Sequence, residues 1–215
     1  MEFIHQLIDF ILHIDQHLEA IIAQYGTLTY IILFLIIFAE TGFVVTPFLP
    51  GDSLLFAVGA IAALGAINVW LVLILVLIAA FTGNMVNYSI GRQMSERIFK
   101  AEKIRFIKRE YLIKTQEFYT KHGAKAVVIG RFLPIFRTFV PFVAGIGLMD
   151  VRKFTYYNML GALLWVIPFT MAGYFFGQLP FVKENFTLVV LGIIGITVVP
   201  AIYAAIKMRL QKRVR

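Results

Sequence analysis

Three apolar runs, at residues 28–39, 69–81 and 188–205, limit what this chain can fold into. A segment of about 20 apolar residues crosses the ~30 Å hydrocarbon core of a bilayer as a helix. A soluble core has little use for several such runs in 215 residues. The hydrophobic share of 60% against 15% charged residues, the 21 phenylalanines and a mean hydropathy of +0.84 agree. The expected class is an all-α integral membrane protein with a single membrane domain, 1–215.

A net charge of +8 could suggest nucleic acid. The basic residues instead gather at 92–125 and 207–215, both beside hydrophobic spans, as the positive-inside rule requires, so a nucleic-acid partner is not expected. There is no cysteine, which excludes disulfides and thiolate metal sites. The N-terminus lacks the positive start and small-residue cleavage site of a secretory signal.

Residues 1–24 place Ile4, Leu7, Ile8, Ile11, Leu18, Ile21 and Ile22 on one helical face and Glu2, Gln6, Asp9, His13, Gln16 and Glu19 on the other. This is an amphipathic helix suited to the membrane interface. His5, His13 and His17 lack a third ligand set by spacing and read as a solvated face; no metal or cofactor is expected. Residues 27–66 are interrupted by Pro47, Pro50 and Gly51, and residues 126–149 by Pro134 and Pro141. Proline lacks an N–H and clashes with the preceding turn, so neither stretch is expected to be one continuous helix. Residues 68–90, 153–178 and 186–206 read as transmembrane helices, 92–125 as a basic amphipathic segment and 207–215 as a basic tail. Trp70 fits an interfacial anchor and Trp165 a packed interior position, while Gly161, Ala162, Ala172, Gly173, Gly192 and Gly195 suit close helix contacts.

One layout satisfies the charge rule at every basic cluster: each broken segment is a re-entrant hairpin that enters and leaves on one side. The first hairpin then dips in from outside. The 68–90 helix carries the ten Lys/Arg of 92–125 to the cytoplasm, and the second hairpin dips in from there. The last two helices cross out and back, leaving the C-terminus cytoplasmic. Aligning Glu40 with Arg131 puts Thr46 on Arg137, Phe48 on Phe139 and Pro50 on Pro141. The helices that follow end in Tyr88-Ser-Ile-Gly91 and Tyr174-Phe-Phe-Gly177. Two such copies, entering from opposite sides, make an inverted repeat of the kind many transporters use, with two hairpins facing each other.

Glu40, Asp52, Arg131 and Arg137 stand in apolar surroundings. A lone charge at the membrane centre costs roughly 2.5–3.5 kcal/mol, so these four need partners or a wet cavity. Two arrangements meet the need. The charges can form ion pairs that fasten the hairpins, or they can line a cavity in which the arginines bind an anion. A guanidinium suits phosphate because its planar fork makes bidentate, charge-assisted bonds. Asp52, after Pro50-Gly51, can cap a helix beginning at Leu54, or it can exchange a proton as an arginine partner comes and goes. Gly83, Asn84, Asn87, Tyr88 and Gly91 share one face of the third segment, either lining the same cavity or packing helices. No nucleophile elbow, His-Glu-x-x-His, phosphate-binding glycine loop or dinucleotide fingerprint is present, so an enzyme is not expected.

At these positions the chain resembles the DedA family of bacterial membrane proteins, relatives of eukaryotic VTT-domain proteins. The resemblance lies in Phe38-Ala-Glu40-Thr-Gly42, Pro47-Phe-Leu-Pro50-Gly51-Asp52-Ser53, Asn87-Tyr88-x-x-Gly91-Arg92, Gly130-Arg131-Phe132-x-Pro134-x-x-Arg137-Thr138-x-x-Pro141-x-x-Ala144-Gly145 and Gly161-Ala-x-x-Trp165, over about residues 30 to 180. It implies an inner-membrane protein with facing re-entrant hairpins that transports membrane lipid, returning undecaprenyl phosphate or moving phospholipid between leaflets. The family's acids and arginines fall on Glu40, Asp52, Arg131 and Arg137. Asn84 departs from the family pattern, in which Asp is common. Asparagine does not titrate, so a proton role rests on Glu40 or Asp52.

The expected function is transport of an anionic lipid phosphate. Arg131 and Arg137 would bind the head group, Glu40 and Asp52 would gate or couple, protons being a candidate coupling ion, and Asn84, Asn87 and Tyr88 would line the path. A proton- or sodium-coupled exporter of small ions or drugs, and a non-transporting scaffold for envelope or division machinery, are the alternatives.

Overall fold

The computed structural model describes residues 25–43, 51–100, 120, 122–185, 188–189, 191–192 and 195. Among them the secondary structure is helical throughout: α1 (Leu28–Gly42), α2 (Gly51–Ala63), α3 (Val69–Lys100), a 3-10 turn (Gly123–Lys125), α4 (Ala126–Gly130), α5 (Pro134–Ile146), α6 (Val151–Phe176) and α7 (Pro180–Glu184). The amphipathic helix expected at 1–24, most of the basic segment 92–125, most of the span expected at 186–206 and the tail 207–215 lie outside the described residues.

Two helices are long and apolar enough to cross a membrane, Val69–Ser95 and Val151–Phe176, while Leu28–Gly42 and Gly51–Ala63 are apolar but shorter. Their exposed side chains are those of lipid-facing helices: α3 shows Trp70, Leu71, Ile74 and Ile78 outward, and α6 shows Met159, Leu163, Leu164 and Ile167. A soluble monomer rarely leaves such continuous apolar patches uncovered. α3 does not end at the expected limit of its span but continues through Gly91 and Arg92 to Lys100.

Local sequence explains the helix boundaries. Asn68 caps α3, its Oδ1 accepting from the N–H groups of Trp70 (2.9 Å) and Leu71 (3.1 Å). Asp150 does the same for α6 through Lys153 N at 3.0 Å. α2 ends in a turn at Gly65, whose φ of 81° suits glycine. α5 opens on Pro134, preceded by an extended Leu133, the arrangement proline favours at a first helical position.

Two expectations change here. Pro134 marks the break in 126–149, whereas Pro141 lies inside α5 without ending it. Phe48-Leu49-Pro50 stands immediately before Gly51 in the sequence, and Phe132-Leu133-Pro134 runs into α5. Asp52 is not the cap of a helix starting at Leu54. α2 begins at Gly51, and Asp52 sits in its first turn, where a negative charge complements the helix dipole.

The chain forms two compact units. The first takes residues up to Leu33, 50–75 and those from Val166 onward. Within it α2 meets the end of α6 backbone to backbone: a Cβ on Gly59 would strike Thr170 O, one on Gly173 would strike Phe56 O, and one on Gly177 would strike Ala60 Cβ. Gly192 and Gly195, by contrast, have nothing within 4 Å of a Cβ and make no close contact among the described residues.

The second unit takes 34–49 and 76–165. Here α5 lies along α3, with Gly91 against Phe142 O and Gly145 against Tyr88 O. Gly83 of α3 lies against Thr41 of α1. Tyr88 stacks on Phe154 with ring centroids 4.2 Å apart, in a core that includes Ala126, Val127, Val140, Ala144 and Met149. Its hydroxyl donates to Met149 O and accepts from Arg92 Nη1 at 2.8 Å, and Ser95 Oγ donates to Ile146 O at 2.7 Å. These bonds tie the α5–α6 turn to α3. Tyr88→Phe is expected to lower stability by about 1 kcal/mol, the net worth of a typical buried hydrogen bond, read as a lower thermal midpoint in detergent with the helical content retained.

Candidate functional site

Two interruptions of helical structure in the second unit, the end of α1 and the α4–α5 break, bring Glu40, Arg131 and Arg137 together. Glu40 sits in the last turn of α1, Arg131 in the break between α4 and α5, and Arg137 in the first turns of α5. The break exists because Pro134 cannot donate to a continuing ladder. Arg137 N then donates to Leu133 O at 2.8 Å as α5 starts.

All three side chains are buried, Glu40 at 2%, Arg131 at 1% and Arg137 at 6% exposure. Arg137 Nη1 lies 2.7 Å from Glu40 Oε1, and its Nε donates to Arg131 O at 2.9 Å. The ion pair thus locks the end of α1 to the start of α5, and the second bond fixes Arg137 to the break that carries Arg131. Trp165, fully buried, lies under both cations: the guanidinium carbons of Arg137 and Arg131 stand 4.6 and 5.8 Å from its ring centroid. A ring face attracts cations, more strongly where water is excluded.

Arg131 is held unevenly. Its Nη2 donates to Ala80 O at 3.0 Å and Asn158 Oδ1 at 2.8 Å, and the Asn84 amide lies against the same nitrogen at 2.8 Å and against Asn158 Oδ1 at 3.1 Å. Nε and Nη1 have no hydrogen-bond partner among the described residues. Buried donors are nearly always satisfied, so two bare nitrogens on one buried cation are a place for an anion or water. α6 gives the side chain room: a Cβ on Gly161 would come 3.2 Å from Arg131 Cδ and 3.3 Å from Nε.

The structure therefore brings Glu40, Arg131, Arg137 and Asn84 into one cluster. Asn87 and Tyr88 belong to the same unit but serve the backbone, Asn87 Nδ2 donating to Thr41 O (3.2 Å) and Thr138 O (2.8 Å). Asp52, buried at 8% exposure, belongs to the other unit. Gly83, Asn84, Asn87, Tyr88 and Gly91 are all buried; Gly83 packs against Thr41 and Gly91 against Phe142, and Asn84 lies against Arg131 and Asn158. Sequence reading missed Asn158 and the place of Trp165 beneath the arginines. The signal was present. Asn158 is a carboxamide in an apolar helix, seven residues or two turns before Trp165 and on the same face. Among the described residues no group of acids and histidines could hold a metal ion.

A VTT-domain family model matches residues 49–175. The chain is 53% identical over 209 residues to Protein DedA of Escherichia coli K12, covering 96% of this chain and 95% of that protein. It is 40% identical over 170 residues to an uncharacterized membrane protein of Mycobacterium leprae, covering 79% and 76% of the two chains. It is 35% identical over 151 residues to the inner membrane protein YqjA of Escherichia coli K12, covering 70% and 69%. No solved structure matches. The matched stretch contains Asp52, Arg131, Arg137 and Trp165, and with the long apolar helices it leads to one conclusion: the chain belongs to the DedA family of VTT-domain membrane proteins.

Proposed function

We propose that this protein moves an anionic lipid phosphate, a polyprenyl phosphate such as undecaprenyl phosphate or a phospholipid, between the leaflets of the bacterial inner membrane. The observation that carries this reading is Arg131: a fully buried cation with two unpartnered nitrogens, beside a second arginine already engaged by Glu40. Such a group offers charge-assisted donors to phosphate, while the lipid tail stays in the bilayer. Glu40 competes with the phosphate for Arg137 and acts as the gate; Asp52 is the candidate coupling acid.

The architecture proposed is an inverted repeat with two re-entrant hairpins. The broken stretch Ala126–Ile146 supports it: α5, with 13 residues, reaches about 20 Å, short of the ~30 Å needed to cross. The repeated Phe-Leu-Pro, at 48–50 and 132–134, supports it too. The basic segment 92–125 and the C-terminus face the cytoplasm in this layout. The inner-membrane location is taken from the relative YqjA, an inner membrane protein of Escherichia coli.

The test is head-group accessibility of labelled undecaprenyl phosphate in liposomes containing wild-type protein or Arg131→Gln. The expected result is exchange well above empty liposomes in wild type, reduced at least tenfold in a variant that elutes and melts like wild type. Wild-type exchange no faster than in empty liposomes for labelled undecaprenyl phosphate and for labelled phospholipid alike, with a proton gradient imposed, overturns the reading in favour of a small-ion exporter or a scaffold.

A further inference from the structure

The face of α6 that meets Arg131 carries three residues at helical spacing, Asn158, Gly161 and Trp165. Asn158 Oδ1 accepts from Nη2 at 2.8 Å, and Gly161 leaves room where a Cβ would stand 3.2 Å from Cδ. Trp165 makes a contact of another kind. Its ring centroid lies 5.8 Å from the guanidinium carbon of Arg131 and 4.6 Å from that of Arg137, and the residue is fully buried. Two like charges therefore share one ring inside the protein. The attraction of a ring face for a cation is electrostatic and consumes no N–H donor. The carboxylate of Glu40, 2.7 Å from Arg137 Nη1, consumes one.

We infer that Trp165 is a positioning residue for anion recognition: its ring holds Arg137 beside Arg131 once phosphate has displaced Glu40. The inference rests on the reading of the two arginines as the phosphate-binding pair. While Glu40 is paired, the carboxylate fixes Arg137 and the ring adds little to its placement. When phosphate takes Nη1, that anchor is gone, and two cations must stay side by side around one anion. The ring then counts for most, together with the bond from Arg137 Nε to Arg131 O at 2.9 Å. A contact worth more in the bound state than in the free state raises affinity. Weakening the negative face of the ring should therefore weaken phosphate binding, even where the shape of the side chain is kept. A tryptophan that merely fills space makes no such demand.

The experiment uses the full-length Trp70→Phe protein in detergent. Trp70 is 67% exposed, and replacing it leaves Trp165 as the one tryptophan of the chain. The protein is made with tryptophan, or with tryptophans bearing successive fluorine atoms on the benzo ring, which drain its negative face at nearly constant size. Binding of farnesyl phosphate is measured, with farnesol as the uncharged control. Without fluorine the expected result is tighter binding of the phosphate than of farnesol. The phosphate Kd should then climb with each fluorine, by roughly fivefold or more in all, while farnesol binding holds. A phosphate Kd that stays level or falls across the series overturns this inference and leaves the role of the arginines intact. A parallel rise for farnesol also overturns it, since the ring then acts through packing. No preference for phosphate in the unfluorinated protein removes the parent reading and this one with it.

Discussion

Glu40→Gln is expected to destabilise the protein by about 3–5 kcal/mol, the usual cost of removing one partner from a buried ion pair. Arg137 is 6% exposed, and the substitution leaves its charge facing a neutral amide where it had a carboxylate at 2.7 Å. The pair also joins α1 to α5, so its loss loosens the break that carries Arg131. The double variant Glu40→Leu/Arg137→Leu removes both charges, and it should cost clearly less than the sum of the two single leucine variants. Buried pairs exchanged for apolar groups are often close to neutral. Denaturation of the four proteins in a mixed-detergent titration gives the coupling between the two residues. Additive single effects would show that the two side chains do not act as a pair. Activity separates the roles further: if Glu40 gates Arg137, the double variant recovers stability and still fails to move phosphate.

The second large effect is expected at Gly91. Glycine in the middle of a helix normally costs about 1 kcal/mol relative to alanine, so Gly91→Ala should stabilise if local preference ruled. A Cβ there would strike Phe142 O and stand 3.1 Å from Phe142 Cα. The obstacle is backbone, which cannot rotate aside, so α5 must move away from α3. We expect a loss of about 3 kcal/mol, the upper range of overpacking. Because Gly145 lies in the same contact, Gly91→Ala and Gly145→Ala should not add. Gly192→Ala is the control, a helical glycine with nothing within 4 Å of the added carbon, and it should be neutral or slightly stabilising. Equal thermal midpoints for Gly91→Ala and Gly192→Ala would mean that the helices are not in backbone contact at Gly91.

What could be read from the chain followed from solvent and local geometry. Long apolar runs require lipid, which led to spans at 68–90 and 153–178 where the structure has apolar helices at Val69–Ser95 and Val151–Phe176. Proline at 134 required a break, because it has no N–H to give. Charges in apolar surroundings required partners, which singled out Glu40, Asp52, Arg131 and Arg137 before any contact was known. Those inferences need no knowledge of which helix lies beside which.

The remainder depends on neighbours distant in sequence. Pro141 was expected to break its segment, yet α5 runs through it, because the packing of Gly145 and Phe142 on α3 holds a helix that proline disfavours. Asn158 drew no notice as one amide among apolar residues; it gained a role when the fold set it 2.8 Å from a guanidinium 27 residues away. The acids and arginines were identifiable in the sequence, but their partition was not. Electroneutrality allows either arginine to take Glu40, and only the positions of α1 and α5 gave Glu40 to Arg137 and neutral amides to Arg131. The sequence by itself determined that charges would be buried in a membrane helix bundle, since side-chain chemistry and the cost of desolvation are local properties. Tertiary structure decided which charge was left for a ligand, since an ion pair is a matter of a few ångströms between residues 97 positions apart.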